Sequence, residues 1–206
     1  MKHILRILSL ALVATALSAS AADKVRYRSS PPGLMKIAGT STIHDWTATT
    51  KLIGGSFLCG ESLADPKALK PGKFDGVVSA IIPTSSFSCS SGSAMDKVMR
   101  KAMAADKHKL ILYKSSELTV KSVNADGSVT LGSKGTLTVS GVTKPINMDV
   151  TMTATDGGKK VSFKGATAVK MTAHGIKPPA PSVGLGLIKT GDDVKLTFEW
   201  KTVKAD

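Results

Sequence analysis

The chain has 206 residues, of which 42% are hydrophobic and 21% are charged. This composition is that of an ordinary globular domain, and it excludes collagen-like, coiled-coil, fully disordered and polytopic membrane proteins. Lys and Arg number 28 against 15 Asp and Glu, which gives a formal charge of +13 and favours anionic partners. Aromatic residues make up 4% of the chain and the cations are dispersed, so nucleic acid is not a predicted partner.

The first 22 residues have the pattern of a secretory signal peptide. Lys2 and Arg6 precede an apolar run over residues 7–17, and small residues follow at 18–22. A run of about eleven apolar residues is too short to cross a bilayer, which needs roughly 20, and no second such run follows. We therefore predict a removable segment, no transmembrane segment in the mature chain, and one exported domain over residues 23–206 with a charge of about +11.

Alternating apolar and polar residues predict strands at 35–43 and 47–53. Between them lies the compact triplet His44, Asp45 and Trp46. One interpretation makes it the polar head of a site, in which His44 and Asp45 could even act as a base pair in catalysis. The other makes it a strand bend, where Asp45 accepts backbone N–H groups and Trp46 caps the core.

Cys59 and Cys89 are the two cysteines of the chain. An even pair in an exported protein predicts a disulfide. Such a bond would close a loop of about 31 residues and stabilise the fold by roughly 3–4 kcal/mol. Two separate buried thiols are the alternative, and the lack of a C-x-x-C motif argues against a redox-active pair.

A strand is predicted over 74–82, followed by a Ser-rich loop at 83–93 and a helix over about 94–108. Ser93 is the expected N-cap, with Asp96 as its acidic partner three residues later. A helix of this kind can pack on a barrel and close one of its ends. Its apolar stripe repeats at i, i+3, i+4, i+7 and i+8 and consists of Met95, Val98, Met99, Ala102 and Met103.

The second half of the chain reads as a series of strands separated by turn signals such as Asp126-Gly127. The clearest strand is 145–154, where apolar and polar residues alternate strictly from Ile146 onward. Nine or ten strands in all predict an all-β sandwich or barrel with one inserted helix. The remaining predicted strands are 110–121, 128–131, 135–139, 160–169 and 194–201.

Groups that could carry catalysis or bind a metal are sparse. His44, His108 and His174 lie far apart in the chain and show no metal-ligand spacing. The chain contains no G-x-S-x-G elbow, no phosphate-binding loop and no dinucleotide fingerprint. We therefore predict no catalytic residues, no metal and no cofactor.

Three segments, in this order, resemble the landmarks of the YceI-like family. They are GTSTIHDW at 39–46, GTLTVSGVTKPI at 135–146 and GIKPP at 175–179. The resemblance covers roughly residues 34–203. It implies a lipocalin-like antiparallel β-barrel of about eight strands, exported in bacteria, whose interior tunnel holds a polyisoprenoid or another amphipathic lipid.

Two functions stay open, because an eight-stranded barrel can either be filled by side chains or hold one small ligand. The first is a non-enzymatic carrier or sequestering protein with the lipid in the barrel and Lys side chains at its rim. The second is an envelope interaction or stress protein with a filled barrel and a basic surface that docks to an anionic envelope component. The oligomeric state is equally open, a dimer included. The candidate ligand-binding residues are Leu137, Val139, Ile146, Met148, Val150, Met152, Leu196, Phe198, Trp200, His44 and Trp46.

Overall fold

The computed structural model describes residues 24–60, 62–180 and 188–205, so the predicted signal peptide lies outside the described residues. The described residues form twelve β-strands, one α-helix and three short 3-10 helices. The first six strands are β1 (Val25–Ser29), β2 (Leu34–Ser41), β3 (Trp46–Thr50), β4 (Gly54–Cys59), β5 (Gly72–Phe74) and β6 (Gly76–Pro83). The other six are β7 (Ser88–Cys89), β8 (Leu110–Val123), β9 (Val129–Val139), β10 (Val142–Thr155), β11 (Lys160–Lys170) and β12 (Thr190–Lys204). The α-helix α1 covers Ser93–Ala102, and the 3-10 helices cover Pro66–Ala68, Thr84–Ser86 and Thr172–His174.

Eight of the strands close into an antiparallel barrel, as predicted. Their order around the ring is β1, β4, β6, β8, β9, β10, β11 and β12, and β12 pairs with β1 to complete it. The long strand β12 is shared, because residues 202–204 pair with β1 and residues 190–199 pair with β2. Strands β2 and β3 thereby continue the barrel wall beyond the ends of β1 and β4.

The barrel has two distinct ends. At the first, here called the helix end, the β9–β10 turn meets the segment after α1, where the Ser140 hydroxyl donates to the Met103 carbonyl at 2.9 Å. At the second, here called the closed end, the β8–β9 and β10–β11 turns lie beside the loop that contains Leu63. Aromatic rings lie at the closed end, whereas α1 lies at the helix end.

Several strand predictions differ from the structure in their bounds. The predicted strands 128–131 and 135–139 are one strand, β9, because β8 and β10 pair with it on both sides through the polar stretch Gly132–Lys134. Strands β1 and β4 were not predicted. The predicted strand 47–53 ends at Thr50.

The helix is shorter than the predicted range 94–108. It ends at Ala102, and Ala104 adopts a φ of +47°, which an α-helix does not accommodate. The bond between Ser140 and Met103 holds this segment on the β9–β10 turn. Ser93 is not the N-cap either: Gly92 is, with a φ of +90°, and the Asp96 carboxylate accepts the Cys89 N–H at 2.6 Å.

Candidate functional site

The barrel interior contains a cavity of about 200 Å³. Its wall follows β12 from Thr190 to Trp200, which corresponds to roughly 25 Å along the axis of a tilted barrel. The cavity is therefore a narrow tunnel, roughly 6 Å wide.

The tunnel wall is almost entirely apolar. Each of the strands β8 to β12 contributes its inward-pointing side chains to this wall. Alternate side chains of a strand point to opposite faces, so the others point outward. Apolar side chains of β2 and β6, among them Met35, Ile37 and Val78, complete the wall. The polar side chains on the wall are Ser91, Tyr113, Ser133, Thr167, Lys170, His174 and Thr190.

A layer of aromatic rings closes one end of the tunnel. Phe57 is fully buried, and its ring centroid lies 5.4 Å from that of Tyr27 and 5.0 Å from that of Phe163. Phe163 in turn stacks on Trp200 at 5.5 Å. The Tyr27 hydroxyl donates to the Gly158 carbonyl at 2.8 Å, which ties this layer to the β10–β11 turn. Among the described residues, these rings therefore pack against one another across the closed end.

The mouth of the tunnel lies at the helix end. One side of it is α1, whose apolar stripe, including Met95 and Met99, faces the cavity rather than a solid core. The other side is the segment from Met171 to Pro179, anchored where the buried ring of His174 makes a hydrogen bond through Nδ1 with the Val142 carbonyl at 3.1 Å.

Next to the mouth, β10 and β11 part from one another. Their pairing runs from Thr155 and Lys160 up to Val150 and Gly165 and ends there. Above this point β11 continues to pair with β12, while residues 142–149 of β10 pair with β9. The 3-10 helix Thr172–His174 packs across the resulting gap.

The structure places most of the predicted ligand-binding residues on the tunnel wall. Two of the eleven lie elsewhere. Met152 is fully buried beneath the tunnel, paired with Val129 and Phe163, and His44 is exposed, with Nδ1 bonded to the Asp45 carbonyl at 2.9 Å. The wall residues among them are Leu137, Val139, Ile146, Met148, Val150, Leu196, Phe198, Trp200 and Trp46.

Sequence reasoning did not identify the helix stripe, Tyr113, Ser133 and Ile176 as wall residues. The stripe was visible, but an apolar helix face predicts a buried position without saying whether the neighbour is side chain or empty space. Tyr113 follows the alternation of β8 and could have been found from it. Ile176 lies in an irregular segment, where apolar residues follow no periodic pattern that could predict which side chains point inward.

The predicted disulfide between Cys59 and Cys89 is absent from the structure. Cys89 pairs with Ala48 at the helix end, whereas Cys59 pairs with Val25 and Gly76 at the closed end. Cys59 lies eleven positions after Ala48 along a largely extended chain, so roughly 30 Å separates the two cysteines. Burial, reinforced by the Asp96 carboxylate, raises the pKa of the Cys89 thiol to about 11, and this thiol stays protonated at neutral pH.

Two further features concern metals and membranes. Within residues 24–60, 62–180 and 188–205, no group of three or more His, Cys, Asp or Glu side chains is placed to hold a metal ion. In the same part of the chain no helix has the length and apolar character to cross a bilayer.

A closed eight-stranded barrel around an apolar tunnel is the architecture of the lipocalin-type barrels. The chain belongs to the YceI-like family, since the family model for the YceI-like domain matches residues 20–202. No curated protein matches the chain.

Solved structures with the same fold share little sequence with this chain. A structure described as a polyisoprenoid binding domain from Saccharophagus degradans, implicated in plant cell wall breakdown, has a TM-score of 0.66 at 11% identity and covers 88% of this chain and 100% of its own. BcnA of Burkholderia cenocepacia has a TM-score of 0.58 at 18% identity, with 82% and 95% covered. The YceI protein of Campylobacter jejuni has a TM-score of 0.52 at 16% identity, with 77% and 84% covered.

Proposed function

We propose that this protein is a non-enzymatic binding protein that holds an isoprenoid or another amphipathic lipid in its barrel. The observation that carries the proposal is the narrow apolar tunnel, closed by aromatic rings at one end and open beside α1 at the other. A tunnel roughly 6 Å wide fits one extended hydrocarbon chain. The likeness to a structure described as a polyisoprenoid binding domain supports the same ligand class.

Burial of the ligand's hydrocarbon chain supplies enough free energy for binding. Each CH₂ removed from water contributes about 0.8 kcal/mol. Ten buried carbons therefore supply roughly 8 kcal/mol, from which the costs of association and ordering are subtracted. A long isoprenoid would fill the tunnel and leave its head near the Lys side chains of the mouth.

The place of action that fits this ligand is the bacterial envelope. The signal-peptide pattern of residues 1–22 predicts export to the periplasm or beyond. In water, a lipid with a long apolar chain needs a protein cover, and the tunnel provides one for either carriage or sequestration. The filled-barrel alternative is disfavoured by the cavity itself, which has about 200 Å³ of space.

The experiment that tests the proposal is native mass spectrometry of protein purified from its own cellular compartment, followed by organic extraction of the released molecule. We expect a stoichiometric apolar adduct. The proposal would be contradicted if the protein had the mass of the bare polypeptide and took up no isoprenoid when offered one. That result would favour the filled-barrel interaction protein instead.

The partner that we propose for the outer surface is an anionic lipid bilayer, contacted by the helix end. Segment 96–114 carries six Lys or Arg residues and two Asp residues. Lys101 and Lys109 are exposed. Leu110, which follows Lys109 directly, forms an exposed apolar patch with Leu112 and Ile81, because Leu112 pairs with Ile81 on the outer face. Exposed apolar side chains close to a cation suit the interface of an anionic membrane.

We expect the double variant Lys101→Glu/Lys109→Glu to lose at least roughly tenfold in affinity for phosphatidylglycerol vesicles, since each surface cation contributes about 1 kcal/mol. The measurement is vesicle cosedimentation at about 50 mM and about 300 mM salt, where wild-type binding should weaken with salt. Lys70→Glu/Lys159→Glu changes the charge equally at the closed end and is the matched control. Equal losses in both variants would show that net charge, rather than this face, drives the contact.

A further inference from the structure

Tyr113 and Ser133 form a hydrogen-bonded polar pair in the largely apolar wall of the tunnel, at mid-height. The inward positions of β9 are apolar except at Ser133 and Gly135, near the middle of the strand. From the neighbouring strand β8, the Tyr113 hydroxyl makes a 2.6 Å hydrogen bond with Ser133 Oγ. A Cβ at Gly135 would lie 2.9 Å from that hydroxyl, so the glycine leaves the space that the tyrosine head occupies.

The two hydroxyls carry two hydrogens, and their mutual bond uses one of them. Whichever oxygen donates, one O–H remains without an acceptor among the hydrogen bonds of the described residues. A donor left unpaired away from water costs about 1–3 kcal/mol. Burial raises the pKa of Tyr113, so its hydroxyl stays protonated and able to donate.

We propose that the Tyr113–Ser133 pair binds an oxygen atom of the tunnel ligand, so that the preferred ligands are neutral isoprenoids carrying a hydroxyl or carbonyl oxygen. This inference rests on the proposed function and specifies its ligand class. The ligand oxygen accepts the hydrogen bond from the O–H group that the pair leaves unpaired, and the hydrocarbon chain of the ligand lies against the apolar wall.

A neutral oxygen fits this position better than a charged head. The cation on the tunnel wall, Lys170, lies at the mouth and is already paired with Asp193 at 2.9 Å. An anionic group at mid-height would be buried without a counterion, which is strongly unfavourable. An anionic head is therefore expected to stay at the mouth, whereas an alcohol or ketone can enter as far as Tyr113.

The test compares two ligands with the same carbon skeleton, farnesol and the hydrocarbon farnesene, by displacement of the neutral fluorophore N-phenyl-1-naphthylamine. Wild-type protein should prefer farnesol. In Tyr113→Phe/Ser133→Ala the farnesol affinity should fall about 3- to 10-fold relative to that of farnesene. Each single variant leaves one hydroxyl in place and should lose less than the double variant. The control Tyr27→Phe removes a buried hydroxyl at the closed end, outside the tunnel wall, and should leave the ratio unchanged.

The outcomes separate the two levels of the proposal. A farnesol-to-farnesene ratio that is equal in wild type and double variant would overturn this inference and leave lipid binding intact. If wild-type protein binds neither ligand, the proposed function fails and the inference fails with it.

A second readout needs no variant. The carbonyl stretch of bound geranylacetone, measured by infrared difference spectroscopy on wild-type protein, should lie below its value in hexane because the carbonyl accepts a hydrogen bond. A hexane-like frequency for the bound ketone would contradict the inference.

Discussion

The variant Val150→Phe is expected to abolish uptake of an isoprenoid while the barrel stays folded. Val150 points inward from β10 and lies on the tunnel wall, opposite Leu131 in β9 and Gly165 in β11. The added ring would enter the empty space and block the chain from the lower part of the tunnel. Loss of four or five buried CH₂ groups, at about 0.8 kcal/mol each, weakens binding by roughly 100- to 1,000-fold.

Thr151→Phe is the matched control, because the next residue of the same strand is exposed on the outer face. The measurement is displacement of N-phenyl-1-naphthylamine by farnesol, with thermal unfolding followed in parallel. Insertion of the ring into a solid core would cost about 1–3 kcal/mol of stability, but a hollow interior accepts it at lower cost. Unchanged farnesol binding in Val150→Phe would show that the ligand does not use this tunnel.

The β-barrel could be predicted because its long strands keep strict alternation. In β10 the residues from Ile146 to Ala154 alternate without exception, and the same holds for β12 from Val194 to Lys201. Alternation fixes which side chains face inward. For that reason most of the wall residues from these strands were identified correctly as positions, although their binding of a ligand stays a prediction.

The hollow interior could not be predicted, because the same alternation describes a filled barrel and an empty one. The difference arises from contacts between residues far apart in the chain. Tyr27, Phe57, Phe163 and Trp200 come from β1, β4, β11 and β12, and they meet at the closed end. Above them the described side chains line an open tunnel, and that arrangement is a property of the assembled barrel.

The disulfide prediction was wrong for a related reason. Parity and export predict that two cysteines pair, but pairing needs Cα atoms within roughly 7 Å. Only the register decides this distance, and it places Cys89 beside Ala48 and Cys59 beside Val25. The sequence between the two cysteines contains no local signal for their separation.

Phe57→Ala is expected to destabilise the protein by about 3–5 kcal/mol, the largest stability effect that we predict from a single side chain. Phe57 is fully buried and contacts the rings of Tyr27, Phe163 and Phe74, the last at a centroid distance of 6.4 Å. Its removal leaves a void in a packed layer, so both the burial of the ring and its aromatic contacts are lost. Urea unfolding followed by circular dichroism measures the change.

Phe198→Ala is the matched comparison for Phe57→Ala, because it truncates the same type of side chain on the tunnel wall. Phe198 is half-buried on the tunnel wall, where its ring already borders empty space. Truncation there enlarges an existing cavity and removes fewer contacts, so a smaller cost of about 1–2 kcal/mol is expected. If both variants lost the same stability, the closed end would be no better packed than the tunnel wall.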